Sequence, residues 1–124
     1  MGSSFMHERD RKFLVDMLRH AQEALRFVKG VTAEEYEADR KIQLAVQKLV
    51  EIVGEAAGNV SPRTQGTVDL DWRHIKALRN VLVHQYGRVV HTRVYGIVVG
   101  RFPPMVFALE SALRDAGVDL APPE

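Results

Sequence analysis

At 124 residues, with 46% hydrophobic and 27% charged side chains, the chain has the size and balance of one globular domain, which excludes disordered, collagen-like and low-complexity classes. It contains no cysteine, which removes disulfides, thiolate catalysis and Cys-type zinc sites and fits a reducing, cytoplasmic setting. No uninterrupted apolar run of about 18 residues and no basic leader feeding an apolar stretch is present, so neither a membrane span nor a signal peptide is expected.

The apolar spacing is helical almost throughout. From Glu8 to Lys29, the residues Leu14, Leu18, Ala21, Leu25 and Val28 recur at intervals of three and four, and Gly30 supplies a stop. Thr32 with Glu35 forms a capping-box pattern, behind which Ile42, Val46, Leu49, Val53 and Ala56 mark one face of a long second helix ending near Gly58. Residues 59–70, with Pro62 and Gly66, read as a loop holding one turn started by Ser61-Pro62. Asp69 or Asp71 can cap a third helix that turns Trp72, Ile75, Leu78 and Leu82 inward and stops at Gly87. Residues 88–100 are rich in β-branched side chains and admit a strand. A helix from about Thr92 is preferred, because Val94, Ile97 and Val98 keep helical spacing and no second strand exists to pair with. Pro103-Pro104 should break or kink this fourth helix before a last amphipathic piece, Met105 to Ala116, ends at Gly117. The expected fold is all-α: a single domain over 1–124, built as an up-and-down antiparallel bundle of four main helices, the fourth kinked or split. Residues 1–5 read as an added or disordered leader ahead of a start at Met6, and residues 118–124 as a frayed tail.

The formal net charge of +1 hides a segregation: residues 63–101 carry seven Lys or Arg against two Asp or Glu, together with three of the five histidines. This is the one segment suited to a polyanion, although charges on a helix face are also commonly just solvated. Within it lies Arg79-Asn80-Val81-Leu82-Val83-His84-Gln85-Tyr86. An imidazole that titrates near neutrality can take the proton of a ribose 2′-hydroxyl, and a guanidinium can hold the neighbouring phosphate. Together they could cleave RNA without a metal. At about 100° per residue, Asn80 and His84 share a face while Arg79 and His84 lie about 140° apart. They converge if the Arg side chain wraps round, if the helix loosens before Gly87, or if a second subunit supplies the missing group. The plainer alternative has Arg79 paired with Glu51 or Glu55 on the second helix, and His84 as a cation at a helix C-terminus.

The segment from Asp71-Trp72-Arg73-His74-Ile75 through Arg79-Asn80 to His84-Gln85-Tyr86 resembles the signature of the HepT toxins of the HEPN superfamily, R-x4-H-x-Y preceded by Trp-Arg-x-Ile. Upstream, Ile52-Val53-Gly54-Glu55-Ala56-Ala57 resembles the I-G-E-A-A block of that family. Arg9-Asp10 and the Val94-Tyr95-x-Ile97-Val98 run fall where similar pieces are expected, so the resemblance covers roughly residues 8–110. It implies a homodimeric ribonuclease toxin with its two motifs lining a cleft between subunits. Arg79 and His84 would be catalytic and Asn80 would support the site; beside this, Glu55 reads either as a carboxylate orienting Arg79 or His84 or as part of a salt-bridged helix surface, and Arg73, Lys76 and Arg88 of the basic segment are candidate contacts to RNA phosphates. Tyr86 would be the residue to which a cognate antitoxin, a minimal nucleotidyltransferase, attaches AMP. ATP and magnesium would then belong to the antitoxin, and this chain would need no cofactor or metal. The chain departs from the family at Val90, where an acidic residue and possible cap is usual, and at Tyr95, where a Trp is usual.

The remaining candidates have plain readings. His20 and His74 lack a second ligand at metal spacing, and His84 with His91 is a poor zinc pattern. Trp72 begins an apolar stripe and is read as core rather than as a base-stacking platform. The reading from a different class is a non-catalytic helical partner that binds and regulates a nucleotidyltransferase through the same basic face.

Overall fold

The computed structural model describes residues 6–81 and 90–120. Among them there are helices and no strand, so the chain is all-α and residues 91–100 are helical rather than extended. The first helix, α1, is Glu8–Val28. Its N-cap is His7, whose ring accepts from Arg9 N–H at 3.1 Å, and Glu8 and Asp10 put negative charge beside the free amides of the first turn. Gly30 follows at φ +74°, a left-handed position where a side chain would be strained.

The long second helix expected after Thr32 is two helices. Thr32 and Glu35 form the capping box on α2, Ala33–Ala38. The chain then extends at Asp39 (φ −115°, ψ 97°), whose carboxylate accepts from Ile42 N–H at 3.1 Å and starts α3, Arg40–Gly58. A second good N-cap residue inside the apolar repeat is what divides it. Gln43 fastens the corner by donating to the carbonyls of Tyr36 and Glu37, at 3.0 and 2.9 Å.

The Ser61-Pro62 turn is the short helix α4, Pro62–Gln65, with Ser61 as its N-cap. Next is α5, Trp72–Val81, begun by Asp71, whose carboxylate accepts from His74 N–H. Trp72, Ile75 and Leu78 face inward as expected, and the Trp72 indole N–H is satisfied by the Val68 carbonyl at 2.9 Å. Leu82 and Gly87 lie outside the described residues.

The last helix, α6, is His91–Asp115, one residue longer at its start than expected and unbroken by Pro103-Pro104. Its buried residues Val94, Val98, Phe102, Met105, Leu109 and Leu113 continue in register across the prolines. Each proline lacks an N–H and so frees the carbonyl four residues back, at Val99 and Gly100. Both of those residues are exposed, as are the prolines, so water can satisfy the freed groups while the opposite face holds the helix to the core. Val90 is the N-cap and makes no side-chain capping bond. Gly117, at φ +84°, ends the helix.

Packing follows from these faces. Helix α1 lies between α3 and α6, α5 packs on α3, and α2 touches both α3 and α6. Leu14, Met17, Leu18 and Ala21 of α1, Val46, Val50 and Val53 of α3, and Val98, Phe102 and Leu109 of α6 form one fully buried core. Each large aliphatic there contributes about 1.5–3 kcal/mol over its exposed state. By length and composition α6 could also cross a membrane, but its inward face is part of this core.

Candidate functional site

Two buried features fix the helix that carries the candidate site. At Gly54 of α3 an added Cβ would stand 2.8 Å from the backbone nitrogen of Arg79, 3.1 Å from the Ile75 carbonyl oxygen and 3.2 Å from the Leu78 Cβ. Because the obstructing atoms are largely backbone, no side chain can be accommodated without moving α5 away. This glycine therefore lets α3 and α5 touch, and it places the Arg79 backbone against α3. Ala57, buried about 60° round the helix from it, shares that side of α3.

The second feature is a buried carboxylate whose partners lie far away in the sequence. Asp10, in the first turn of α1, is 4% exposed and accepts from Ser61 N–H at 2.9 Å, Ser61 Oγ–H at 2.5 Å and Thr64 Oγ1–H at 2.6 Å. Burial alone would push this carboxyl up, but the bonds from Ser61 and Thr64, helped by the charge of His7, hold it below the ordinary carboxylate value. Asp10 thus latches α1 to α4 and fixes the chain that leads into α5. The signal for it in the sequence is a polar residue that shares a helix face with Leu14 and Met17.

On this support α5 shows a basic surface. Arg73, Lys76, Arg79 and Asn80 are all exposed, with Arg73, Lys76 and Asn80 on one face by helical spacing. Arg79 has no ion pair among the described residues. Glu51 instead pairs with Lys48 at 3.2 Å, and Glu55 is exposed and without an ion pair among the described residues. The structure therefore brings Arg79, Asn80, Arg73 and Lys76 together on α5, with Glu55 next to the Gly54 crossing. His84, Tyr86 and Arg88 lie outside the described residues.

The other flank of α5 faces α6 across an open groove of about 600 Å³. His74 stands on it, its Nδ1 bonded to the Asp71 carboxylate, and Arg93 and Arg101 line the opposite wall. The His74 bond, aided by the charge of Arg101, holds the Asp71 carboxyl below its usual value. At the start of α6, Tyr95 donates to the Val31 carbonyl at 2.6 Å and packs on Tyr36, with ring centroids 5.2 Å apart. Tyr95 therefore has a structural task. Tyr36 is fully buried with its hydroxyl unpartnered among the described residues, and burial, with the charge of Glu37, pushes that phenol up to about 12. Burial, and then the charge of Arg40, pushes the His91 imidazole down. Among the described residues no three His, Asp or Glu side chains gather to hold a metal, and the His20 ring bonds its own helix at the Asp16 carbonyl.

The model of a family described as Ribonuclease HepT-like matches residues 17–112. A Methanocaldococcus jannaschii protein named as a candidate RNase is 27% identical over 85% of this chain and 88% of its own length. A second candidate RNase of that organism is 30% identical over 75% of this chain and 87% of its length. A candidate ribonuclease HepT of Thermococcus cleftensis is 27% identical over 65% of this chain and 74% of its length. No solved structure matches the chain.

Proposed function

Because the chain belongs to the HepT-like ribonuclease family, we propose that it is a metal-independent endoribonuclease and the toxin of a toxin–antitoxin pair. The observation that carries the site assignment is the exposure of Arg79 and Asn80 at the Gly54 crossing, on a basic face where neither Glu51 nor Glu55 neutralises the guanidinium. Arg79 holds the scissile phosphate and offsets the charge that builds on it. His84 takes the proton from the 2′-hydroxyl, whose oxygen attacks the adjacent phosphorus, and the 5′-oxygen of the next nucleotide leaves. The products are a 2′,3′-cyclic phosphate and a 5′-hydroxyl. Asn80 and Glu55 hold the two groups in place, and Arg73, Lys76 and Arg88 bind flanking phosphates.

The active species is proposed to be a cytoplasmic homodimer with the two motifs facing each other. Its support is an uncovered apolar stripe on α6: Val99 is 43% and Phe107 72% exposed, with Gly96, Gly100 and Pro103 also exposed along the same side. Only 28% of the most apolar stretch of α6 is buried. A cognate minimal nucleotidyltransferase is proposed to silence the enzyme by attaching AMP to Tyr86, which puts bulk and negative charge where RNA phosphate binds.

The test is cleavage of several RNAs by the unmodified protein in EDTA, with product ends analysed. The expected result is cyclic-phosphate ends, with His84→Ala lowering the rate about 10²–10⁴-fold while sedimentation shows an unchanged dimer. Full activity in His84→Ala, or no cleavage by the unmodified wild type, overturns the assignment and leaves a non-catalytic partner of the nucleotidyltransferase.

A further inference from the structure

The groove between α5 and α6 has no part in the proposed reaction, and its composition is not that of a helix-docking surface. Its floor is apolar, built from the partly exposed Ile97, Leu70, Ala77 and Pro104 over the buried Phe102 and Met105. Its rim carries Arg93 and Arg101 from α6 and His74 from α5, all three exposed. Asp71 is committed to His74, which leaves Asp69 as the other rim carboxylate against two guanidiniums. A volume of about 600 Å³ falls in the range of roughly 300–1,000 Å³ that takes a ligand of nucleotide size.

From these features we infer that the α5–α6 groove binds one nucleotide of the RNA substrate beyond the scissile bond, with its phosphates on Arg93, Arg101 and His74 and its base on the apolar surface of Ile97, Ala77, Leu70 and Pro104. The inference rests on the ribonuclease reading and adds a subsite to it. Guanidiniums suit a phosphodiester because their planar forks donate in pairs to its oxygens. The imidazole needs no large rearrangement to join them, since the bond to Asp71 already holds its ring. A flat apolar floor accepts any base by its face, so the subsite favours single-stranded RNA over a duplex. A second copy of the chain fits less well, because an apolar helix laid here would bury both guanidiniums without partners. The exposed Val99 and Phe107 stripe, about a quarter-turn further round α6 by helical spacing, meets that need without such a cost. The groove is lined by the same α5 that carries Arg79.

The experiment measures fluorescence anisotropy of a labelled single-stranded RNA on the full chain carrying His84→Ala, which prevents turnover, with and without Arg93→Ala and Arg101→Ala. Removing both guanidiniums should raise Kd about tenfold or more and flatten the plot of log K against log salt by about 0.7 for each phosphate no longer neutralised. In the His84-containing enzyme the same pair should raise KM for a long RNA and leave kcat, and cleavage of a dinucleotide too short to reach the groove, unchanged. His74→Gln should give a smaller rise in Kd. An unchanged Kd and salt slope in the double variant overturns the subsite, as does loss of the dimer on sedimentation with RNA affinity intact, which would make the groove a subunit seam. Absence of cleavage by the wild type sinks the ribonuclease reading instead, and the anisotropy series still decides what the groove binds.

Discussion

The two flanks of α5 are built on opposite principles. On the α3 side the helices meet so closely that Gly54 has no room for a Cβ, and the small Ala57 shares that side of α3. On the α6 side the same helix overlooks an open groove with titratable and cationic groups on its rim. The charged side chains of α5 are left exposed, so the helix is held by the face turned to α3. The closed flank fixes the position of the Arg79 backbone, and the open flank leaves the groove accessible.

The sharpest way to break this contrast is to add volume to each flank. Gly54→Val should cost about 3 kcal/mol or more, because the clash is with backbone that cannot rotate away, whereas Ala77→Met on the groove should stay within about 0.5 kcal/mol. Urea denaturation reads both, and equal losses would show that the flanks do not differ. Next in size is the latch below the closed flank. Asp10→Ala leaves the Ser61 and Thr64 donors without their acceptor and should cost about 2–3 kcal/mol. Because the folded Asp10 carboxyl is held below its unfolded value, the wild type keeps that stability at pH above about 4 and loses it as pH falls further. The variant should lack this acid step in a pH series of thermal melts.

A smaller effect is expected where α2 meets α6. His91 is held neutral by burial and by Arg40, with Glu37 opposing. Its folded value lies below its unfolded one, so stability is complete above about pH 6.5 and declines as pH drops from there. His91→Gln should remove that decline, and its persistence would place the titrating group elsewhere. The smallest change expected is a gain. Tyr36→Phe deletes a buried hydroxyl with no partner among the described residues and should raise stability by about 1 kcal/mol, whereas a loss would mean that the hydroxyl is satisfied in solution.

Much of the fold is legible in the order of residues because helix periodicity and caps are local. Thr32 with Glu35, Ser61-Pro62, Gly30 and Gly117 all act within a turn of their own position, and each stands where its chemistry predicts. Expectation and structure part where two local signals compete. Asp39 is a strong N-cap inside an apolar repeat and divides what periodicity joins. Pro103-Pro104 signals a break, yet the core face of α6 overrides it because the freed carbonyls are on the wet side. For the site, Arg79, Asn80, Arg73 and Lys76 are visible because they share one helix. The contact of Asp10 with Ser61 and Thr64 spans more than fifty residues, and the meeting of Arg93 and Arg101 with His74 depends on how α5 and α6 are spaced. No periodicity in one helix encodes either. Gly54 is intermediate: the block around it stands out by resemblance, and only the crossing with Arg79 explains why a glycine is needed there.

Helix α1 is enclosed by α3 on one side and α6 on the other, with Gln22 donating to Glu110 at 3.3 Å across the second contact. During synthesis the first of these walls is made early and the other only after the basic segment of α5 has left the ribosome. At about 5–20 residues per second, a nascent chain therefore spends seconds with Arg79 already translated but with the apolar side of α1 still bare. The core around α1 therefore closes only once α6 has been made. Truncations that remove α6 should be recovered as insoluble protein rather than as a smaller active nuclease.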